Sequence, residues 1–461
     1  MNSKELVLEP SSFRDPSGQV FSVGNKVFRK ISYSYKENYD MLMGSGLYKE
    51  LVEKKLLVPH KEIRKKIEGK EDVYKVIAPE VIRFISYPYE WSFGQLKVAA
   101  ILTLQIQNIA LKHGMVLKDA SAYNVQFLGA KPVFIDSLSF ENYNPGETWV
   151  AYRQFCRHFL APLALMSFID TRMGKLLSDY IDGIPLDLVS ELLPKKSRLK
   201  FGLLTHIHLN ALSMKVFAGR AEGKSRKKLN KEGLINLVNS LKATTESLEV
   251  KTLKTEWSDY YQDTNYKKAS FLKKQQMVAE FVGKVKPKMA VDLGANTGVF
   301  SQIAAKFGAY TISSDIDSMA VAKNFDSLSK QEEKILPLVL DLTNPSAGIG
   351  WRNLERKSFL ERCKSNDLVL ALALVHHLAI TNNLPFEYIS DMFKALGKYL
   401  IVEFVPKEDS QVIRLLSQRE DIFKEYNQKN FEKAFSQHFE VLDKKLIPGT
   451  KRSLYLMKRK R

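Results

Sequence analysis

The sequence Met289-Ala-Val-Asp-Leu-Gly-Ala-Asn-Thr-Gly-Val-Phe-Ser301 decides the fold of the second half of this chain. Its first five residues form an apolar run typical of a buried parallel strand, and the loop after them must turn sharply into a helix that begins near Thr297. Gly294 and Gly298 let the backbone pass close to a ligand, and Asn296 is a side chain that tolerates a left-handed backbone. The stretch therefore predicts a strand, a glycine turn and a helix that border a ligand site.

An acidic residue, Asp315, ends the next apolar segment, seventeen residues beyond Gly298. At that distance a carboxylate can reach both hydroxyls of a ribose, so the pattern indicates a nucleoside. A dinucleotide would require Gly-x-Gly-x-x-Gly, whereas this chain has Asn296 and Val299 at the second and third glycine positions. The loop therefore disfavours a nicotinamide cofactor. A doubly wound domain that binds no cofactor is the alternative.

Four segments, in order, resemble the motifs of class I S-adenosylmethionine-dependent methyltransferases: Val291-Asp-Leu-Gly-Ala-Asn-Thr-Gly298, Ser314-Asp-Ile-Asp317, Leu338-Val-Leu-Asp-Leu342 and Asp367-Leu-Val-Leu-Ala-Leu-Ala-Leu-Val-His-His-Leu378. The resemblance implies a Rossmann-like doubly wound α/β sheet over residues 251–461, with S-adenosylmethionine as cofactor. It implies that Asp292 organises the loop around the methionine part, that Asp315 binds the ribose, and that Asp341 and Leu342 border the adenine. The cofactor-binding residues expected from these motifs are Asp292, Gly294, Ala295, Asn296, Gly298, Asp315, Asp341 and Leu342.

Methyl transfer needs few protein groups, because the sulfonium already carries an excellent leaving group, and alignment with exclusion of water supplies much of the acceleration. No metal is required by this chemistry. A hydroxyl or amine acceptor would benefit from a general base. His376, His377 and Glu403 are the catalytic candidates, because each follows or ends an apolar segment and is expected at the carboxyl edge of the sheet, where acceptors dock. Loop packing for the histidines and an ion pair with a lysine for Glu403 are the alternatives.

The first half carries a different pattern, in which residues 113–127 are followed by Lys131-Pro-Val-Phe-Ile-Asp136. Asp119, Asn124 and Asp136 have phosphotransferase spacing. The resemblance to protein kinases implies that Asp119 would orient an acceptor hydroxyl, while the other two would hold magnesium against nucleotide phosphates. Mg-ATP would then be a second ligand of the chain, held by this N-terminal domain.

The order of elements upstream of this pattern is also kinase-like. A hairpin around residues 24–25 joins predicted strands over 19–23 and 26–31, and a long apolar helix is predicted over 93–112. The sequence departs from the kinase pattern by lacking a Gly-x-Gly-x-x-Gly phosphate loop and by carrying Ser-Leu in place of Phe-Gly after the last aspartate. We therefore expect an α+β kinase-like domain over residues 1–193.

Three functions of this domain stay open. It could be a working kinase, in which Arg29 or Lys30 would replace the strand lysine, or a kinase-like module that binds substrate or nucleotide without chemistry. In the third alternative, Asp119 and Asn124 only tie down a loop by side-chain hydrogen bonds. The departures from the motif favour the second alternative.

Positive charge is concentrated between the two halves. Residues 194–231 contain eleven basic side chains and one acid, Glu222, in a chain of formal net charge +19. The pattern predicts a basic helical linker over 194–250, and such a cluster can attract nucleic acid or another polyanion. A solvated linker is the alternative, because aromatic residues that would stack on bases do not interleave with this charge.

Composition limits the remaining classes. The 461 residues, 45% hydrophobic, can bury two or three cores. The two cysteines, Cys156 and Cys363, lie in unrelated apolar surroundings, which implies neither a disulfide framework nor a zinc site. The N-terminus lacks a signal pattern, and no run of eighteen uncharged apolar residues occurs. We expect a cytoplasmic protein without a membrane span.

The layout as a whole, including Glu403-Phe-Val-Pro-Lys-Glu-Asp409 in the second half, is similar to bacterial methyltransferases of the nodulation-protein type over nearly the full length. This implies transfer of a methyl group from S-adenosylmethionine to an acceptor that the N-terminal domain selects or presents. The sequence does not identify the acceptor. A magnesium- and ATP-dependent phosphotransferase acting through the N-terminal domain is the alternative from another class.

Overall fold

A computed structural model describes residues 6–24, 26–63, 72–217, 229–250, 268–328, 333–364, 366–417 and 420–460. The strands within residues 6–79 form an antiparallel sheet. The sheet has the order β1-β2-β3-β5-β4 and comprises β1 (Leu6–Leu8), β2 (Val20–Val23), β3 (Lys26–Ser32), β4 (His60–Ile63) and β5 (Val73–Pro79). Helices α1 (Lys36–Gly44) and α2 (Leu47–Glu53) connect β3 to β4. Direct antiparallel pairing of β2 with β3 confirms the predicted hairpin strands.

The long apolar helix α3 (Phe93–Lys112) has the predicted bounds. Its first turn is fixed by a capping box, in which the Gln95 side chain accepts a hydrogen bond from the Ser92 backbone N–H at 3.0 Å while the Ser92 hydroxyl accepts from the Gln95 N–H. Most of its apolar side chains are buried. A helix that is apolar on most of its surface must lie inside a domain, which explains its central position in the first half.

Short elements complete the first half. β6 (Met115–Leu117) pairs with β9 (Phe140–Asn142), and β7 (Val125–Leu128) pairs with β8 (Lys131–Phe134). The helices that follow are α4 (Tyr152–Phe155), α5 (Ala161–Phe168), α6 (Leu176–Asp179), α7 (Leu186–Leu192), α8 (Phe201–Leu203), α9 (Asn210–Phe217) and α10 (Lys231–Glu246). A sheet followed by helices confirms the α+β organisation, whereas the kinase-like character stays a prediction.

Helix α10 packs on α3 and does not form part of a free linker. Leu234, Val238 and Leu241 recur at helical spacing and are fully buried. The Asn108 side chain also donates a hydrogen bond to Asn239 at 3.1 Å. Residues 231–246 of the predicted linker thus form a helix, and burial of its apolar face fixes it to the first half.

The second half is built on a seven-stranded sheet with the order β12-β11-β10-β13-β14-β16-β15. Its strands are β10 (Met289–Leu293), β11 (Tyr310–Asp315), β12 (Ile335–Val339), β13 (Asn366–Ala371), β14 (Gly397–Phe404), β15 (Phe439–Leu446) and β16 (Ser453–Arg459). The helices are α11 (Lys268–Val285), α12 (Val299–Lys306), α13 (Ser318–Ser327), α14 (Phe359–Cys363), α15 (Phe386–Leu396), α16 (Ser410–Leu416) and α17 (Gln428–Ser436).

The connectivity of this sheet determines where a ligand can bind. Strands β10 to β14 run parallel to one another, and β16 is antiparallel to both β14 and β15. The chain runs outward from β10 to β12 and then returns to pair β13 on the other side of β10. This reversal is a topological switch point, where ligands bind outside the carboxyl ends of the strands. The doubly wound sheet predicted for the second half is confirmed.

Two compact units make up the chain. The first comprises Met1–Phe127, Pro132–Lys251 and Gly348–Arg356, and the second comprises Leu128–Lys131, Thr252–Ala347 and Lys357–Arg461. Residues 194–250, where described, thus belong to the first unit and do not form a separate linker domain. Among the described residues, no helix combines the length and apolar character needed to cross a bilayer.

The glycine turn offers a test of the fold. Gly298 has φ +81°, and an added Cβ would lie 2.4 Å from the Asn324 amide oxygen, whose side chain is anchored by a 2.8 Å hydrogen bond to Ser313. Left-handed strain and overpacking together should lower the free energy of unfolding of Gly298→Ala by about 2–5 kcal/mol. Gly308→Ala, at φ +97° with open space around it, should lose only about 1–2 kcal/mol. If urea unfolding gave the same loss of free energy of unfolding for both variants, the close packing of Gly298 against Asn324 would be contradicted.

Candidate functional site

The loop between β10 and α12 forms one wall of the site. Gly294, Asn296 and Gly298 all have positive φ, at 68°, 50° and 81°. Asn296 confirms the prediction that asparagine takes a left-handed conformation here. The loop is tied to the neighbouring strand, because the Asn296 backbone N–H donates a 2.8 Å hydrogen bond to the Asp315 carboxylate.

Asp315 lies at the end of β11, partly exposed to the cavity described below. One carboxylate oxygen accepts the bond from Asn296, and the other accepts a 2.9 Å bond from the Asp317 N–H. Surrounding protein raises the pKa of Asp315 to about 6, although the backbone donors oppose the shift. The carboxylate is therefore ionised at neutral pH and held in a fixed orientation.

Asp292, on β10, is a buried carboxylate of the same site. It is 1% exposed, and the Ser301 hydroxyl donates a 2.7 Å hydrogen bond to it. Burial raises the pKa of Asp292 to about 7, and the negative charge of Asp315 adds to the shift. A buried acid with this pKa gains free energy from any cation or hydrogen-bond donor that reaches it.

A cavity of about 350 Å³ opens at this edge of the sheet. The predicted residues among those that line it are Asp292, Gly294, Asn296, Asp315, Asp341, Leu342 and His377. Ala295, Gly298, His376 and Glu403 are not among them, although Ala295 and Gly298 belong to the turn itself. The volume is within the range of small-molecule sites.

The wall near Asp341 is mainly apolar. Ile316, Leu340 and Leu342 line the cavity there, and the Asp341 carboxylate accepts hydrogen bonds from the Thr343 N–H at 2.9 Å and the Thr343 hydroxyl at 2.7 Å. The carboxylate therefore shapes its own loop. Apolar side chains beside a fixed polar loop can hold the faces of a flat heterocycle while backbone groups meet its edge.

A buried ion network borders the cavity, and its lysine, Lys274, is one of the lining residues. The Lys274 ammonium donates to the Glu403 carboxylate at 2.5 Å, and Arg452 contacts the other Glu403 oxygen at 3.3 Å. Arg452 also pairs with Asp409 at 2.7 Å. Burial lowers the pKa of Lys274, while Glu403 opposes that shift. Each buried charge is thus matched by an opposite one, as burial of ions requires.

Glu403 connects this network to the cavity wall. The Lys274-bound oxygen of Glu403 also accepts a 2.8 Å hydrogen bond from the Ala373 N–H, and Ala373 has φ 51°. Ala373 and Leu374 line the cavity. With both oxygens occupied by cations and an amide, Glu403 is placed to hold the loop after β13, which agrees with the predicted alternative of a lysine ion pair.

His376 and His377 follow β13 with their ring centroids 4.2 Å apart. His377 lines the cavity, and burial lowers its pKa to about 4. His376 is fully buried, its pKa is lowered well below the usual range by burial, and within the described residues neither ring nitrogen has a hydrogen-bond partner. Both rings are therefore neutral at pH 7.

The kinase-like residues lie in the first unit. Arg29 pairs with both Asp136 and Asp15, and the Leu138 N–H donates a 2.7 Å bond to Asp136. The side chain of Asn124 donates to the Ser139 hydroxyl at 3.1 Å. Arg29, Asp136 and Asn124 are therefore already paired with other groups of the protein.

Asp119 accepts a 2.9 Å bond from the Ser121 N–H, and burial raises its pKa. These contacts are the ones expected if Asp119 only ties down a loop by side-chain hydrogen bonds. In the part of the chain that the structure describes, no group of three histidine, cysteine or acidic residues has the arrangement of a metal site.

Sequence reasoning missed Lys274. Phe271, Val278 and Phe281 mark the apolar stripe of α11, and Lys274 falls on the same stripe at helical spacing. A lysine at a core position signals a buried partner, but the partner, Glu403, is 129 residues away. Phe300 supports the ammonium from one side, with its ring centroid 4.9 Å from Nζ.

Comparison with known proteins identifies a relative over nearly the whole chain. The sequence is 37% identical over 456 residues to the nodulation protein NoeA of Rhizobium meliloti (strain 1021), covering 97% of this chain and 95% of that protein. No protein-family model matches the sequence.

Two of the solved structures with some similarity are methyltransferases. Magnesium protoporphyrin IX methyltransferase (ChlM) from Synechocystis PCC 6803 with bound SAH gives a TM-score of 0.32 at 18% identity, covering 44% of this chain and 92% of its own. The N-methyltransferase NodS from Bradyrhizobium japonicum WM9 in complex with S-adenosyl-L-homocysteine gives 0.34 at 9% identity, covering 44% and 93%. Similarity at this level carries no argument about function.

The buried network gives a second prediction. Glu403→Gln should lower the free energy of unfolding by about 3–5 kcal/mol, because the buried Lys274 ammonium loses its counter-charge. Lys274→Met combined with Glu403→Gln should lose less than Glu403→Gln alone. The control is Asp443→Asn, which breaks a partly exposed pair with Lys284 and should cost at most about 1 kcal/mol. If denaturant unfolding showed that Glu403→Gln loses no more free energy of unfolding than Asp443→Asn, the stabilising role of the buried ion network would be refuted.

Proposed function

The chain belongs to the NoeA family of nodulation proteins, and we propose that it transfers a methyl group from S-adenosylmethionine to an acceptor substrate. The observation that carries the proposal is that Asp292 and Asp315 face one cavity beside a left-handed glycine turn. Carboxylates held in a protein interior cost free energy unless donors reach them. A nucleoside with two ribose hydroxyls and an ammonium group supplies such donors.

The proposed cofactor position follows from the chemistry of the lining. Asp315 binds the two ribose hydroxyls, as its position at the end of β11 supports. Ile316, Leu340 and Leu342 hold the adenine, with the Asp341 loop at its edge. The amino-acid end of the cofactor lies toward Asp292, whose charge suits an ammonium. Gly294, Ala295, Asn296 and Gly298 form the turn that lets the backbone approach the cofactor.

The protein contributes mainly alignment and exclusion of water, because the sulfonium supplies the leaving group. His377 borders the cavity as a neutral ring, so it can accept a hydrogen bond from an acceptor hydroxyl or amine. A base whose conjugate acid has a pKa of about 4 retains a proton poorly at pH 7. We therefore assign His377 to orientation of the acceptor, with His376 packed behind it.

Glu403 acts through the loop after β13 as a positioning residue. Its bond to the Ala373 N–H fixes a left-handed residue that lines the cavity. Loss of this bond would change the shape of the wall next to His377. The geometry therefore favours a supporting role for Glu403 over proton transfer.

The first unit is proposed to select or present the acceptor. The alternative of a Mg-ATP-dependent phosphotransferase through Asp119, Asn124 and Asp136 receives no support from the contacts of these residues. Asp136 already has a cationic partner in Arg29. A divalent ion would have to displace this guanidinium to bind Asp136.

Cofactor binding gives a third prediction. Asp315→Asn should weaken binding of S-adenosylmethionine about tenfold to a hundredfold in calorimetry, because hydrogen bonds from the ribose to a charged acceptor are lost. Asp317→Asn is the matched control, because Asp317 caps α13 and asparagine caps as well as aspartate. Equal affinities of the Asp315→Asn variant and the wild type would refute the ribose assignment.

The same prediction has a pH readout. Asp315 has a raised pKa of about 6, so the ionised form that accepts ribose hydroxyls is depleted as the pH falls through 6. Affinity of the wild type should drop by up to about tenfold between pH 7.5 and pH 5. Asp315→Asn should show a smaller dependence, with any remainder due to Asp292.

Methyl transfer itself gives a fourth prediction. Incubation with radiolabelled S-adenosylmethionine and fractionated cell extract should label one chemical fraction, and Asp315→Asn should lower the yield at limiting cofactor. Asp317→Asn should label normally. Cofactor binding without label in any fraction would refute the transferase assignment. ATP with magnesium that shifts the melting temperature of wild type but not of Asp136→Ala would favour the phosphotransferase.

A further inference from the structure

The two large apolar side chains with the highest exposure in the described part of the chain are Leu199 and Phe201, at 87% and 77%. They lie two residues apart, where the 3₁₀ helix Lys195–Leu199 ends and α8 begins. Single exposed apolar residues are common on protein surfaces, but two large apolar side chains this exposed and this close in sequence are typical of an interaction site. This feature belongs to the first unit, whereas the residues that line the cavity belong to the second.

The surroundings of this pair are strongly basic. Lys195, Lys196, Arg198 and Lys200 are all exposed, and residues 194–213 contain no aspartate or glutamate. We call Lys195, Lys196, Arg198, Leu199, Lys200 and Phe201 the apolar–basic patch. The patch therefore combines two exposed apolar side chains with four exposed basic ones, in a chain of formal net charge +19.

The backbone of the patch is anchored. Ser197 and Leu203 are fully buried on the opposite side of the segment. The Ser197 hydroxyl hydrogen-bonds the His208 ring at 2.9 Å, and the Leu204 N–H donates to the Lys200 carbonyl at 2.9 Å. Leu199 and Phe201 are thus presented outward by a segment that is fixed to the core.

The composition distinguishes between polyanionic partners. Nucleic acid would meet the cations, and Phe201 could stack on a base, but an aliphatic side chain such as Leu199 has no stacking partner there. An anionic bilayer accommodates both features, because basic groups lie at the headgroups while leucine and phenylalanine enter the acyl boundary. Charge complementarity and the exposed aliphatic side chain of Leu199 together favour an anionic lipid surface.

We propose that the apolar–basic patch docks this protein peripherally on an anionic lipid surface, with Leu199 and Phe201 inserted between headgroups. The cations attract the protein to the surface, and insertion of the two apolar side chains retains it. This proposal concerns the first unit and is independent of the methyltransferase assignment.

The first experiment is co-sedimentation of the full chain with vesicles. Binding is expected to phosphatidylcholine mixed with phosphatidylglycerol, to be weak with phosphatidylcholine alone, and to fall with added salt. Leu199→Ser with Phe201→Ser should weaken binding to anionic vesicles by about tenfold or more. Tyr388→Ser with Ile422→Ser, which removes exposed apolar residues of the second unit, should bind as the wild type does.

A second experiment reads insertion directly. Cys156 and Cys363 are free and buried, so a thiol-selective, environment-sensitive dye will label Phe201→Cys in preference to the native thiols. Anionic vesicles should shift the dye emission toward that of an apolar environment, whereas dye at Tyr388→Cys should not respond. Labelling of the wild type gives the background.

Three outcomes would overturn the proposal. The double serine variant could bind anionic vesicles as well as the wild type, or the dye at position 201 could remain in water while the protein sediments with vesicles. Thirdly, the serine variant could lose binding to a single-stranded oligonucleotide, or lose self-association in ultracentrifugation, while vesicle binding is absent in the wild type. The last outcome would assign the patch to nucleic acid or to a second copy of the chain.

Discussion

The hydrogen bond from the Asn296 N–H to the Asp315 carboxylate joins the two parts on which the second unit depends. It ties the left-handed turn after β10 to the end of β11, and the opposite oxygen of Asp315 receives the Asp317 N–H. The turn and the acid therefore cannot move independently. Because the strands are parallel, this coupling lies at the carboxyl edge, where the switch point opens the sheet to a ligand.

Several ionisable side chains of the site have shifted pKa values. Asp292 and Asp315 have raised pKa values because burial penalises their charged forms, whereas burial lowers the pKa values of Lys274 and His377. The structure thus holds several ionisable groups, partly or fully buried, around one cavity. Such pre-organisation is typical of binding sites, where a ligand returns the free energy that folding does not recover.

The sequence predicted what is encoded locally. The strand, turn and helix around Gly294, the acid at Asp315 and the helix over residues 93–112 are each set by adjacent residues, and the structure has them at those positions. Asp317 caps α13, because its carboxylate accepts a hydrogen bond from the Met319 N–H. Turn and capping signals need no tertiary information, so they can be read from one sequence.

Long-range pairings could not be predicted. Lys274 and Glu403 are brought together by packing of α11 against the sheet, and Arg452 reaches Glu403 from the other side. Only the anomaly of a lysine on an apolar stripe was visible beforehand. The packing of the predicted linker could not be predicted for the same reason. Its positive charge is visible in the sequence, but the burial of Leu234 and Val238 depends on contact with α3.

The neutral histidines constrain the chemistry further. A cation at His376 or His377 would lie near Arg452, and that repulsion adds to burial in lowering both pKa values. In the proposed reaction, neutral rings would avoid a second positive charge near the cofactor sulfonium, and they leave a lone pair available to an acceptor proton. The positive charge of Lys274 at the cavity wall is already paired with Glu403, so it adds little net charge to the site that the acceptor would enter. In the proposed function, the ion network therefore supports the cavity wall while the charge of Lys274 stays paired with Glu403.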